Sequence, residues 1–359
     1  MQFLDTTDQT DRDIADRFDA IIDVRSPGEF GEDHIPGATN LPVLSDDERA
    51  IVGAIYVQES RFKARRVGAA LVARNVAGHL ETALADRPGS FRPLVYCWRG
   101  GQRSNAMATI LAQIGWRTTV LAGGYKTYRR RVQASLYEGE LGLHLILLDG
   151  CTGSGKTAVL GALGALGVQI LDLEGLAEHR GSVFGGLAGR RQPSQKMFES
   201  RLLRALESLN PARPVVVEAE SSKIGDRMVP PILWKAMLSA PRIELTAPRP
   251  DRAGYLVRTY ADILEDRGAL VRSFERLPVY PGRRRLGEWA ALADSGDFIG
   301  VAEALMELHY DPAYARSSRN DERMTLATIK LDRLDERAIT YAASAVAQVV
   351  ERQQGVRSG

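Results

Sequence analysis

The run Gly150-Cys151-Thr152-Gly153-Ser154-Gly155-Lys156-Thr157 constrains this chain more than any other stretch. It sits between an apolar segment at 143–148, read as a buried strand, and a helical pattern at 156–166. A glycine-rich turn in that position aims its backbone amides at an anion and lets the main chain approach it closely. Gly150, Gly153, Ser154, Gly155, Lys156 and Thr157 are therefore the candidate diphosphate-binding residues. Lys156 neutralises phosphate oxygens, and Thr157 is placed to ligate Mg²⁺. A strand, a loop of this kind and a helix in succession imply an α/β fold around a parallel sheet.

A second loop of the same design lies about fifty residues earlier: Cys97-Trp98-Arg99-Gly100-Gly101-Gln102-Arg103-Ser104. It also follows a buried-strand pattern (93–96) and opens a helix (104–114). Amides at a helix N-terminus favour an anion there and, equally, a thiolate over a thiol. Cys97 is the candidate nucleophile. Arg99, Gly100, Gly101, Arg103 and Ser104 form its anion loop, with Arg99 and Arg103 expected to lower the thiol's pKa.

At 359 residues the chain has room for two domains. Strand patterns at 20–24, 93–96 and 118–121 alternate with helical ones, the longest at 61–86, so a first domain is expected over 1–124. A helix without Pro or Gly, carrying Arg129, Arg130 and Arg131, is expected to leave it as a linker over 125–141. The second domain, 142–359, adds strands at 168–173, 214–217 and 242–246. From residue 249 onward it reads as mainly helical, ending in a helix at 334–352.

The first twenty residues hold six aspartates, and no stretch has 18 consecutive apolar residues, so a cytoplasmic protein without membrane contact is expected. Each of the two cysteines lies in a phosphate loop, which argues against disulfides or a cysteine zinc site. The net charge of +2 does not by itself indicate a nucleic-acid partner. The local clusters Arg129 to Arg131, Arg190-Arg191 and Arg283, Arg284 and Arg285 are candidates for an RNA backbone, with solvated helix faces the equally good alternative.

Asp23-Val24-Arg25-Ser26-Pro27-Gly28-Glu29-Phe30, His34-Ile35-Pro36-Gly37-Ala38 and Leu41-Pro42 resemble the N-terminal motifs of a rhodanese domain, in which Cys97 matches the persulfide-forming cysteine. Five residues separate Cys97 from Arg103, where the common rhodanese loop has four. The wider spacing is shared with Cys-dependent phosphatases and suits a larger anion. Asp23, Arg25 and Glu29 read as structural, the Asp-x-Arg pair fixing loop geometry, and His34 as positioning a turn.

In the second half, 172–182 and 220–225 together with the Cys97 loop resemble the tRNA 2-selenouridine synthase family, a rhodanese-like parallel-sheet domain followed by a P-loop α/β domain with a helical C-terminal part. The resemblance implies a selenotransferase and tRNA geranyltransferase. Such an enzyme geranylates the 2-thio group of wobble uridine 34 from geranyl diphosphate, then replaces S-geranyl with selenium from selenophosphate. It implies the anticodon arms of tRNAs for Lys, Glu and Gln as partners, and a selenophosphate-producing enzyme as a further one. No tightly bound cofactor is expected beyond these co-substrates and Mg²⁺.

Glu218 and Glu220, at the end of the 214–217 strand, are candidates for acid–base chemistry or for holding a metal. Leu176, Val183, Phe184 and Leu187 could line a prenyl pocket or simply pack a core. An ATP-dependent tRNA sulfurtransferase fused to a rhodanese, or an RNA-binding regulator on the same folds, would carry the same loops. The intact Cys97, Lys156 and Thr157 argue against the regulator.

Overall fold

The computed structural model describes residues 4–11, 13–181, 191–264, 267–274, 277, 282–319 and 322–355. The chain divides into two compact units, Met1–Glu138 with Ser194–Ser208, and Gly139–Pro193 with Leu209–Gly359.

The first unit is built on β1 (Leu4–Thr7), β2 (Ala20–Asp23), β3 (Thr39–Asn40), β4 (Pro93–Tyr96) and β5 (Thr118–Leu121), in the order β1-β5-β4-β2-β3. All neighbours run parallel. Parallel strands covered on both faces need unbroken apolar runs, and Leu94, Val95 and Tyr96 of central β4 are fully buried. Val95 packs with Ile22, Met107, Leu111 and Val120 in one core. Helix Gln102–Ile114 starts directly after the thiol loop and stops at Gly115 in the left-handed region. The strands expected near 20, 93 and 118 are β2, β4 and β5. Edge strand β1 lies inside the aspartate-rich start, where its short, half-exposed sequence carries little pattern.

Helix Tyr125–Tyr137 belongs to this unit rather than standing between two domains. It buries Tyr125, Tyr128, Val132 and Leu136, a stripe at helical spacing. Its partner is helix Gln195–Glu207, which comes from the later half of the sequence and lies within the expected second domain. Arg129 pairs with Glu199, Arg131 with Glu207, and the Tyr137 hydroxyl donates to Glu199 at 2.7 Å. A segment that crosses units in this way leaves no local signal.

The second unit contains β6 (Leu145–Asp149), β7 (Gln169–Leu171), β8 (Val215–Glu218), the short antiparallel pair β9 (Lys223–Ile224) and β10 (Arg227–Met228), then β11 (Arg242–Thr246) and β12 (Thr325–Lys330). Its main sheet runs β12-β11-β6-β8-β7, all parallel. Helices Lys156–Ala165 and Glu336–Gly355 pack on the sheet through Val159, Leu160, Leu163, Ala342 and Val346. A separate core forms among the C-terminal helices around Phe274, Trp289 and Leu305. Strand β12 interrupts the expected helical region. It is an edge strand whose side chains are all exposed or half-exposed except Ile329, and only its pairing with β11 specifies it. Among the described residues no helix is long and apolar enough to cross a membrane.

Candidate active site

β4 ends at Tyr96, and the next residue, Cys97, is buried with 3% of its surface exposed. Its Sγ lies 3.2 Å from the Ser104 hydroxyl. Burial alone would push this thiol up. The Ser104 hydroxyl and the amides of Ser104, Arg99 and Gly101 outweigh burial and hold it below the ordinary thiol value. The thiolate is thus favoured by loop dipoles rather than by the arginines.

Arg103 is engaged elsewhere: it donates to Glu29 at 2.6 Å, and Arg49 meets the same carboxylate at 3.2 Å. The Arg99 side chain is exposed at the rim. Arg49, Arg99 and Arg103 share an open cleft of about 690 Å³ with Cys97 and with the carboxylates of Glu29, Glu32 and Asp46.

The floor is braced from below. Arg25 and Asp23 are almost fully buried and form a forked pair, with Nε 3.0 Å and Nη2 2.6 Å from the carboxylate. The guanidinium lies 4.1 Å from the centre of the Tyr125 ring. His34 bonds the Phe30 carbonyl and stacks on the Phe30 ring, away from the chemistry.

A glycine pair after β5, unnoticed in the sequence, closes the back of the loop. The amide of Tyr125 donates to the Cys97 carbonyl at 2.8 Å, and a Cβ at Gly124 would lie 2.2 Å from that oxygen. Gly124 also has φ +58°, so no other residue fits there. The signal was present as a Gly-Gly dipeptide ending a strand.

The second loop sits at the end of β6 in the middle of the other sheet. Gly150 has φ +152°, and a Cβ there would meet the Leu245 carbonyl at 2.6 Å. Lys156 Nζ donates to the Gly150 carbonyl at 2.8 Å, across the mouth of the loop. The buried Ser154 hydroxyl has no hydrogen-bond partner among the described residues, as a loop built for an external acceptor requires. Arg252, which carries no sequence signal, braces the loop: it donates to the Thr152 carbonyl at 3.0 Å and holds Asp311 in a fork at 2.9 and 2.8 Å.

Thr157 donates to Glu174 at 2.9 Å. Glu220 lines the same cavity as Glu174. Burial, then the neighbouring charge of Glu220, pushes Glu174 up to about 8; Glu220 is also raised by burial, with Lys156 opposing. If Mg²⁺ accompanies a diphosphate here, Thr157, Glu174 and Glu220 are the oxygen donors beside the loop that would hold it.

Glu218 stands apart from them. It is fully buried at the end of β8, where its carboxylate accepts from the Leu173 amide at 3.2 Å, and burial followed by Asp172 pushes it well up. It does not line the loop cavity, so of the two carboxylates read as functional only Glu220 faces the site.

That cavity, about 570 Å³, is walled by Arg180, Tyr255, Tyr260, Tyr310 and Tyr314 as well as by the loop. A nearly wholly apolar cleft adjoins it, sharing Thr152, Leu256, Tyr260 and Tyr310 and continuing along Val257, Leu264, Phe298, Val301 and Leu305. The apolar wall thus comes from the C-terminal helices. Leu176 is half-buried, and Val183, Phe184 and Leu187 lie outside the described residues.

The arginine clusters divide. Arg129 and Arg131 are held in ion pairs with Glu199 and Glu207, and Arg130 is exposed with a bond to Thr127. Arg283, Arg284 and Arg285 are all exposed on the first turn of helix Arg283–Ser295. Arg191 is exposed, and Arg190 lies outside the described residues.

A parallel-sheet unit with a nucleophilic cysteine in its loop, followed by a unit with a phosphate-cradling loop, defines a rhodanese-like domain joined to a P-loop domain. Residues 6–131 match the rhodanese-like domain, and residues 143–273 match the tRNA 2-selenouridine synthase AAA domain. The chain is 35% identical over 368 residues to the tRNA 2-selenouridine synthase of Aeromonas salmonicida, an alignment covering 93% of this chain and 95% of that one. It is 36% identical over 342 residues to the same-named protein of Bdellovibrio bacteriovorus, covering 83% and 88%. The chain belongs to the tRNA 2-selenouridine synthase family.

Proposed function

We propose that this protein converts 2-thiouridine at the wobble position of tRNA to 2-selenouridine in two steps, one at each loop. The observation that carries this reading is the junction of the diphosphate cradle with an apolar cleft in the second unit. An allylic diphosphate such as geranyl diphosphate needs apolar surface beyond its phosphates, and this cleft, about 70 Å³ in volume, supplies the start of it.

In the first step the 2-thio sulfur attacks the allylic carbon, the carbon–oxygen bond breaks, and diphosphate departs with the bonding pair. Lys156 and the amides of 153–157 stabilise the charge that develops on it. The uridine loses its N3 proton as the sulfur becomes a thioether, and Glu220, which lines the same cavity, is the group this reading assigns to that transfer.

Alkylation turns a poor leaving group into a good one. In the second step the selenium of selenophosphate attacks C2, the carbon–sulfur bond breaks so that geranylthiol leaves, and water cleaves the phosphorus–selenium bond to release phosphate. The Cys97 loop is the site that takes the selenophosphate anion in this reading. The tRNAs for Lys, Glu and Gln are the substrates this reading implies, and an enzyme that makes selenophosphate is the upstream partner.

The test is nucleoside mass analysis of 2-thiouridine tRNA after incubation with geranyl diphosphate alone and then with selenophosphate. S-geranyl-2-thiouridine should appear first and 2-selenouridine second. Formation of selenouridine without geranyl diphosphate, or protection of the second unit from thermal unfolding by ATP but not by geranyl diphosphate, would overturn the reading.

A further inference from the structure

Resting on the tRNA reading above, we propose that the tip of the helical hairpin Asp46–Gln58 and Arg61–Glu81 is an RNA-docking surface, and that its occupant is an unpaired stretch of the tRNA. Between residues 59 and 66 the chain carries Arg61, Lys63, Arg65 and Arg66 against the single acid Glu59, which pairs with Lys63. That is a local charge of +3 in a chain whose total is +2. All four basic side chains are exposed.

Apolar surface concentrates at the same place. Val57 is 83%, Phe62 75% and Tyr56 48% exposed, and helix Asp46–Gln58 has no fully buried residue. The Arg61 guanidinium lies 5.5 Å from the centre of the Tyr56 ring. Flat aromatic and guanidinium faces beside cations are what splayed bases and their phosphates need: the bases stack on the flat faces, and the cations neutralise the backbone.

A second copy of the chain would cover the apolar residues equally well but would bring two +3 surfaces together, so charge favours the polyanion. The acids of the first helix, Asp46, Asp47 and Glu48, lie at its other end, roughly 15 Å away at 1.5 Å per residue. That end forms part of the thiol cleft, which Asp46 and Arg49 line. RNA seated on the tip is therefore within one short helix of Cys97. By contrast, Arg129 and Arg131 already have carboxylate partners.

The experiment measures binding of 2-thiouridine tRNA to the full chain across a salt series. Tyr56→Ala with Phe62→Ala should weaken binding by roughly five- to a hundredfold per stacked base while leaving the salt slope unchanged. Arg61→Gln with Arg65→Gln and Arg66→Gln should reduce the slope of log affinity against log salt by about 0.7 for each single-strand phosphate that is no longer neutralised. These are surface positions, and an unchanged rate of Cys97 alkylation by iodoacetamide certifies the fold of the first unit in each variant.

The proposal is overturned if both variants keep the parent's affinity and slope. It is equally overturned if the aromatic variant merely converts a dimer to monomers in sedimentation without loss of tRNA binding. A parent protein that fails to bind tRNA would instead sink the tRNA reading, and this surface with it.

Discussion

The two loops have the same plan, a buried parallel strand, a glycine-rich turn and a helix, and each contains one cysteine, yet they treat that cysteine in opposite ways. At Cys97 the turn's amides and the Ser104 hydroxyl converge on the sulfur, and the thiol is lowered in spite of burial. At Cys151 burial pushes the thiol up, and the nearby Arg252, already committed to Asp311, does not reverse it. The difference lies in where the amides point. In the first loop they turn to the sulfur of the loop's own cysteine, whereas in the second the buried Ser154 hydroxyl has no partner among the described residues and is left for a ligand brought from outside. On the proposed reading one loop holds a nucleophile and the other a leaving group.

Removing either feature separates the two halves of the reaction, and these are the largest expected effects. Cys97→Ala should abolish selenouridine formation while S-geranyl-2-thiouridine accumulates in the tRNA, read by nucleoside mass analysis. Selenouridine formed at the parent rate would break the distinction between the loops. Lys156→Ala should lower geranylation roughly 100-fold or more, since the departing diphosphate loses its charge partner. Unimpaired geranylation would show that the second loop does not hold the leaving group.

A third variant sharpens the contrast. Arg252→Lys keeps the charge but loses the fork to Asp311 and the bond to the Thr152 carbonyl. Diphosphate binding, followed by calorimetry with geranyl diphosphate, should weaken on the order of tenfold, near 1.4 kcal/mol. Alkylation of Cys97 by iodoacetamide should not change. If diphosphate affinity is unaffected, the brace is dispensable.

The smallest effect concerns the thiol itself. Because the Cys97 thiol is lowered and Cys151 raised, the alkylation rate of Cys97 should level off at a lower pH than that of Cys151. Ser104→Ala removes one stabiliser of the thiolate and should move the Cys97 curve to higher pH, with the Cys151 curve unmoved. Superimposable curves for the two cysteines in the parent protein would remove the electrostatic basis of the comparison.

Both loops were legible in the sequence because glycine spacing and the flanking strand and helix patterns are local. The central strands β4 and β6 were legible for the same reason, each an unbroken apolar run. What the sequence hid is non-local. Arg252 reaches the second loop from a helix a hundred residues on, and only the fold brings it there. The helix Gln195–Glu207 joins the first unit, and that pairing turns Arg129 and Arg131 from apparent RNA ligands into partners of Glu199 and Glu207. Glu218 and Glu220 stand two residues apart, on β8 and just beyond it, with nothing in the local pattern to rank them. The burial of Glu218 beneath the Leu173 amide separates them.

The claim that each loop performs its own step is tested most directly by giving the Lys156→Ala protein tRNA that is already S-geranylated, together with selenophosphate, and measuring 2-selenouridine. The account predicts that selenouridine forms at close to the parent rate, because the defect lies only in the step that has been bypassed. No selenouridine from a folded Lys156→Ala protein, under conditions where the parent converts the same tRNA, would contradict it.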